Sequence, residues 1–162
     1  MSDYLLAAEP LLGRDAHEAG RLLLTRLYEQ RYGKPLPPVE KTPAGKPYFP
    51  GNEAYFSISH TKKNVFCVLS DRPVGLDAEE ADRPVKPSLA RHILSKGELA
   101  QYECAQDPRL ALLTFWVLKE AAAKLSGEGL QGYPNHTDFR LDDPRVTQRD
   151  GCLLAVMTEE KE

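Results

Sequence analysis

Apolar positions recur at helical spacing between Asp15 and Tyr32, where Leu22, Leu23, Leu27 and Tyr28 supply a face for packing. Asp15 can cap that helix, and Gly33 followed by Pro35 ends it. Residues 33–53 hold six of the thirteen prolines, with glycines at 33, 45 and 51, which predicts loop. Strands are expected over Ala54 to Thr61 and Asn64 to Ser70, turning at Lys62-Lys63, and over Val74 to Glu79 behind the breaker Pro73. A polar link from Ala81 to Pro87 leads to a short helix, Ser88 to Leu94. Ser95-Lys96-Gly97-Glu98 then has capping-box spacing and opens another helix. Pro108 suits the first turn of a long helix to Ser126, which Gly127 and Gly129 stop. His136 to Leu141 and Cys152 to Thr158 are expected to pair as strands, with Asp150-Gly151 in the turn between them.

Each half of the chain thus reads as a long helix followed by strands. This predicts an α+β fold of two similar lobes, each with its long helix on a small antiparallel sheet. The lobes are expected at residues 1–73 and 74–162. The similarity is one of pattern, and no repeat of sequence accompanies it.

Composition narrows the class. The 162 residues are 41% hydrophobic and 28% charged, ordinary for a globular protein, and the net charge is −3. A nucleic-acid binder needs a basic surplus to displace counterions, so that class is disfavoured. Cys67, Cys104 and Cys152 are odd in number and form no CxxC pair, which leaves them as small core residues rather than zinc ligands or disulfides. Met1 to Leu12 carries two acids and no basic residue, unlike a signal peptide. No apolar run approaches the ~20 residues of a membrane span. A cytoplasmic location away from membranes is the expectation.

Three features carry candidate chemistry. On a strand, Asp77 and Glu79 project to one face. Two carboxylates that close repel unless a cation lies between them, and hard oxygen pairs suit magnesium, although a solvated acidic strand end has the same sequence. From Leu110 to Leu125 the helix LALLTFWVLKEAAAKL is apolar or small apart from Thr114, Lys119, Glu120 and Lys124. A helix apolar on nearly every side is expected to be buried, so charges on it call for partners. Glu120 and Lys124 could simply pair along the helix for ~0.3–0.5 kcal/mol. The alternative is that Glu120 adds a third oxygen to a metal while Lys119 and Lys124 meet phosphate. Upstream, Phe56-Ser57-Ile58-Ser59-His60-Thr61 ends a strand in hydroxyls and a histidine, groups able to hold a phosphate or to be satisfied structurally. Gly45-Lys46-Pro47 places one more cation on a loop.

These pieces, in this order, resemble the Sfp-type 4′-phosphopantetheinyl transferases. The resemblance runs through Gly45-Lys46-Pro47, Phe56-Ser57-Ile58-Ser59-His60-Thr61 and Val74-Gly75-Leu76-Asp77-Ala78-Glu79. It closes with Phe115-Trp116-Val117-Leu118-Lys119-Glu120-Ala121-Ala122-Ala123-Lys124 and Gly129-Leu130, covering roughly residues 15–141. It implies a pseudo-dimeric fold with coenzyme A between the lobes. It also implies magnesium on Asp77, Glu79 and Glu120, and coenzyme A phosphates on Lys119 and Lys124, with Ser59, His60 and Lys46 near the 3′-phosphate. The N-terminal lobe departs from the family: only about fourteen residues precede the first helix, where longer members carry a strand and basic residues. Glu18 then stands before Arg21, so a nucleotide contact moves to Arg21 or is missing.

The implied activity transfers phosphopantetheine from coenzyme A to a serine of an apo carrier protein, an acidic helical bundle, and releases 3′,5′-ADP. Asp77, Glu120 and Lys124 are the catalytic candidates, and either Glu120 or a metal-bound water takes the serine proton. Arg83, Lys86, Arg91 and Lys96, with Ile93 and Leu94, offer a basic and partly apolar dock for the carrier, unless they are an ordinary solvated face. Two lobes in one chain suggest a monomer. The rivals are a magnesium-dependent nucleotide phosphoesterase and a non-catalytic coenzyme A-binding homologue.

Overall fold

The computed structural model describes residues 4–51, 53–127 and 137–159. Its elements run β1 (Tyr4–Pro10), α1 (Ala16–Tyr32), β2 (Glu40–Lys41), β3 (Pro47–Tyr48), β4 (Tyr55–His60), β5 (Asn64–Ser70) and β6 (Val74–Glu80). Then come α2 (Leu89–Ile93), α3 (Lys96–Glu103), α4 (Pro108–Ser126), β7 (Val146–Arg149) and β8 (Cys152–Thr158). The strands form three small antiparallel sheets, β1-β5-β4, β2-β3 and β6-β8-β7, so the fold is α+β.

Strand parity stacks the layers. On β5, Val65, Cys67 and Leu69 face α1, while Phe66 and Val68 face the other way. On β8, Leu153, Ala155 and Met157 face α4, and Cys152, Leu154 and Val156 meet Phe66, Val68, Val74, Leu76 and Ala78 between the sheets. Both faces of β5 and β8 are covered, which is why each reads as an unbroken apolar run. The edge of β6 is sealed by side chains. Ser57 Oγ accepts from Leu76 N at 3.1 Å and Ser59 Oγ from Ala78 N at 3.2 Å, pairing amides that would otherwise be buried without partners.

Helix α4 lies directly on β6, and Gly75 is the reason. A Cβ there would stand 2.1 Å from the Ala121 carbonyl oxygen and 2.5 Å from Leu125 N. Only a residue without a side chain lets the helix come this close.

Several expectations need correction. Leu22 is 52% exposed, whereas Leu23, Leu24, Leu27 and Tyr28 are buried, because positions 22 and 24 lie about 200° apart around a helix and cannot both face the sheet. The segment before α1 does carry a strand, β1, which pairs along β5 from Tyr4↔Ser70 to Pro10↔Asn64. Residues 33–53 include the two-residue strands β2 and β3. The hairpin partner of β8 is Val146–Arg149 rather than His136 to Leu141; residues 137–141 are not a strand, and His136 and Gly129 lie outside the described residues. Phe139 is buried because it plugs the α4 core, not because it belongs to a sheet. The turn was well placed: Asp150 and Gly151 adopt φ of 53° and 77°, the left-handed pair of a tight hairpin. Cys67 and Cys152 are buried as expected, but Cys104 is exposed just past α3.

Candidate active site

The face of β6 that meets α4 carries Asp77 and Glu79, since Val74, Leu76 and Ala78 turn into the space between the sheets. Asp77 is 6% exposed, with Oδ1 at 3.6 Å from Lys124 Nζ and Oδ2 buried without a hydrogen-bond partner among the described residues. Burial pushes its pKa up to about 7; Lys124 opposes that rise, and the charges of Glu79 and Glu120 add to it. Glu120 is shifted upward in the same way, by burial first, with Glu79 adding and Lys124 and Arg83 opposing. Glu79 is held from its other side: Trp116 Nε1 donates to Oε1 at 3.1 Å, and Arg83 pairs with Oε2 at 2.8 Å. The three acids therefore lie within each other's electrostatic reach. Among the described residues, however, no three or more His, Cys, Asp or Glu side chains converge as a closed ligand set. Lys124 and Arg83 supply the compensating charge.

Trp116, Glu120 and Lys124 are spaced by four and share one stripe of α4. Glu120 and Lys124 open onto a cleft of about 290 Å³ whose opposite wall is Lys46, Pro47, Ser57 and Ile58. Lys46 Nζ donates to the Leu125 carbonyl at 3.0 Å, placing a cation at the negative end of the helix. Half-burial lowers its pKa. Lys46 and a hydroxyl thus face Glu120 and Lys124 across a concave surface, a layout suited to a polyanionic ligand.

Other candidates fall elsewhere. Lys119 points away from the cleft: its Nζ is buried at 2.8 Å from the fully buried Glu98 and donates to the Thr137 carbonyl at 3.2 Å. The α4 stripe that reaches the cleft holds positions 116, 120 and 124, so position 119 is turned about 100° into the core. Ser59 is buried and committed to Ala78 N; Ser57, its neighbour on the same strand face, is the serine that lines the cleft. His60 is exposed at the strand end, with Nδ1 at 3.3 Å from the Thr61 carbonyl, and does not line the cleft. Arg21 is half-buried on α1 and is likewise absent from that wall.

A second groove, of about 410 Å³, lies beyond Glu79 and is lined by Arg83, Val85, Lys86, Leu89, His92 and Trp116, among others. Arg91 and Lys96 are exposed, but Ile93 and Leu94 are buried, so they offer no apolar surface to a partner. Sequence reasoning missed the structural roles of Arg83, Trp116 and Glu98. Only the capping-box spacing of Glu98 and the four-residue step from Trp116 to Glu120 hinted at them.

An acid cluster thus lies beside a cleft carrying two lysines, on a strand and a helix brought together by a glycine. Residues 73–155, just over half of the chain, match the 4′-phosphopantetheinyl transferase superfamily, and the chain belongs to that family. It is 34% identical over 91 residues to 4′-phosphopantetheinyl transferase Sfp of Bacillus subtilis, covering 53% of this chain and 39% of that protein. It is 27% identical over 136 residues to 4′-phosphopantetheinyl transferase psf-1 of Bacillus pumilus, covering 80% and 58%. A putative 4′-phosphopantetheinyl transferase of Haemophilus influenzae is 31% identical over 109 residues, covering 64% and 46%. The chain spans about half the length of the relatives it matches. Among the described residues no helix is long and apolar enough to cross a membrane.

Proposed function

We propose that this chain transfers the 4′-phosphopantetheine group of coenzyme A to a serine of an apo carrier protein, releasing 3′,5′-ADP. The observation that carries the reading is that Asp77, Glu79 and Glu120 lie within one another's electrostatic reach, with Glu120 opening onto a cleft that also bears Lys46 and Lys124. In this reading residues 1–73 and 74–162 are the two lobes of a pseudo-dimer acting as a monomer, with coenzyme A at their junction.

The donor set fits magnesium. The Asp77 Oδ2 atom is buried without a partner, and three mutually repelling carboxylates are hard oxygen ligands. Asp77, Glu79 and Glu120 would hold the ion, which would supply positive charge against a diphosphate. Lys124, now the counter-ion of Asp77, is placed to turn its ammonium toward ligand phosphate and to stabilise the leaving nucleotide. Lys46, anchored at the end of α4, adds a second fixed charge to the same cleft. Glu120 lines the cleft and is the carboxylate we assign to take the serine proton. The groove carrying Arg83, Lys86 and apolar Val85 and Leu89 suits an acidic helical carrier.

The test is mass spectrometry of several apo-carrier proteins incubated with this chain, coenzyme A and magnesium. Addition of phosphopantetheine to the carrier is expected, and Asp77→Ala and Glu120→Gln should abolish it with the fold intact by circular dichroism. Release of 3′,5′-ADP with no carrier modification would replace the reading with a phosphoesterase. Tight coenzyme A binding with no chemistry would leave a binding homologue.

A further inference from the structure

Glu79 stands between the cleft and the groove, and both groups that hold it belong to the groove. Trp116 grips one carboxylate oxygen at 3.1 Å and Arg83 the other at 2.8 Å, and both line the second cavity. On its other side Glu79 feels Asp77 and Glu120. We propose that Arg83 and Trp116 form a latch on Glu79 through which an acidic partner in the groove and a divalent cation at the acid cluster tighten each other's binding. The inference rests on the function proposed above.

The physical case has three parts. A cation that takes an oxygen of Glu79 must share it with a guanidinium of the same sign, so Arg83 competes with the ion. The loop bearing Arg83 is pinned, because Arg109 donates to the carbonyls of Ala81 and Arg83 at 2.8 and 2.9 Å. Motion is thereby left to the Arg83 side chain, which is 49% exposed. Finally, Arg83 and Lys86 lie beside Val85 and Leu89, so a partner surface with carboxylates next to apolar side chains would give the guanidinium another acid to hold. The partner frees Glu79 for the cation, and the cation frees Arg83 for the partner. Linkage requires the two effects to be equal. For a half-exposed ion pair the factor should be about two- to fivefold.

The experiment uses the full chain with Mn²⁺ as the probe, followed by electron paramagnetic resonance, without coenzyme A. The partner is an apo acyl carrier protein whose acceptor serine is replaced by alanine. Saturating carrier should lower the Mn²⁺ Kd about two- to fivefold, and Mn²⁺ should lower the carrier Kd by the same factor. Trp116 is the sole tryptophan of the chain, so its emission should change on adding Mn²⁺, and Glu79→Gln should lose that response. Arg83→Gln should tighten Mn²⁺ by a similar factor in the absence of carrier and abolish the mutual effect, while Arg83→Lys restores part of it. If both ligands bind and neither alters the other's Kd, or if Arg83→Gln weakens Mn²⁺, the latch is overturned while the proposed function survives. Failure of every carrier to bind overturns both.

Discussion

Replacing Asp77 with asparagine should make the metal-free protein more stable at pH 8 while removing its activity. The carboxyl is almost wholly buried, one of its oxygens has no hydrogen-bond partner among the described residues, and its pKa is raised from the ordinary 3.8 to about 7. A group whose folded pKa exceeds its unfolded value stabilises fully below the unfolded value and loses that contribution as pH climbs through the folded one. Three pH units at about 1.4 kcal/mol each give about 4 kcal/mol as an upper figure. Lys124 is a third exposed and free to settle closer to the charge, so about 2–3 kcal/mol is the expected gain. Urea unfolding in EDTA at pH 4, 6 and 8 measures it. The wild-type and Asp77→Asn stabilities should nearly coincide at pH 4 and separate as pH rises toward 7 and above. Magnesium added at pH 8 should then stabilise the wild type more than the variant, which keeps only Glu79 and Glu120 of the three acids. A gap that is the same at pH 4 and pH 8, or a variant less stable at pH 8, would refute the burial argument.

Other consequences are open to measurement. Lys124→Ala should lower transfer by about 10²-fold or more through loss of charge stabilisation, as single-turnover kinetics would check, and should lower the melting temperature at pH 8 more than at pH 4 because it strips the buried Asp77 of its counter-ion. Lys119→Met strands the fully buried Glu98 and should cost about 3–5 kcal/mol in urea unfolding, and that loss should be smaller on a Glu98→Gln background. Gly75→Ala should force α4 away from β6, seen as a lost or molten near-ultraviolet circular dichroism signal and lost activity together. Charge reversal at Lys86 and Arg91 should raise the carrier KM several-fold and leave the coenzyme A KM unchanged in steady-state assays.

The motif residues were legible one element at a time. Period-two alternation placed Asp77 and Glu79 on one face of β6, helical spacing put Glu120 and Lys124 on one stripe, and the capping chemistry of Asp15 and Ser95 opened α1 and α3 as expected. Where a segment takes its conformation from a distant partner, local pattern failed. Tyr4–Pro10 contains two alanines and a proline, and it is a strand because β5 offers it a free edge. Phe139, flanked by the exposed Asp138 and Arg140, is buried because it plugs a core, and its backbone is fastened by Glu98 accepting from Phe139 N at 2.7 Å. Lys119 and Lys124 are both lysines on one apolar helix, and neither composition nor spacing reveals that Lys119 pairs with Glu98 in the core while Lys124 pairs with Asp77 at the cleft.

What the chain determined by itself is the set of charges and the face of each element that bears them, since those follow from periodicity along a single strand or helix. Which charges meet was decided only in three dimensions. Helix α4 lies on β6 because Gly75 has no side chain to keep it off, and that contact brings Lys124 to Asp77. The serines of β4 close the other edge of β6 and so fix the wall of the cleft. Coulomb energies depend on distance and on the water removed from between charges, and neither quantity exists until the layers have packed.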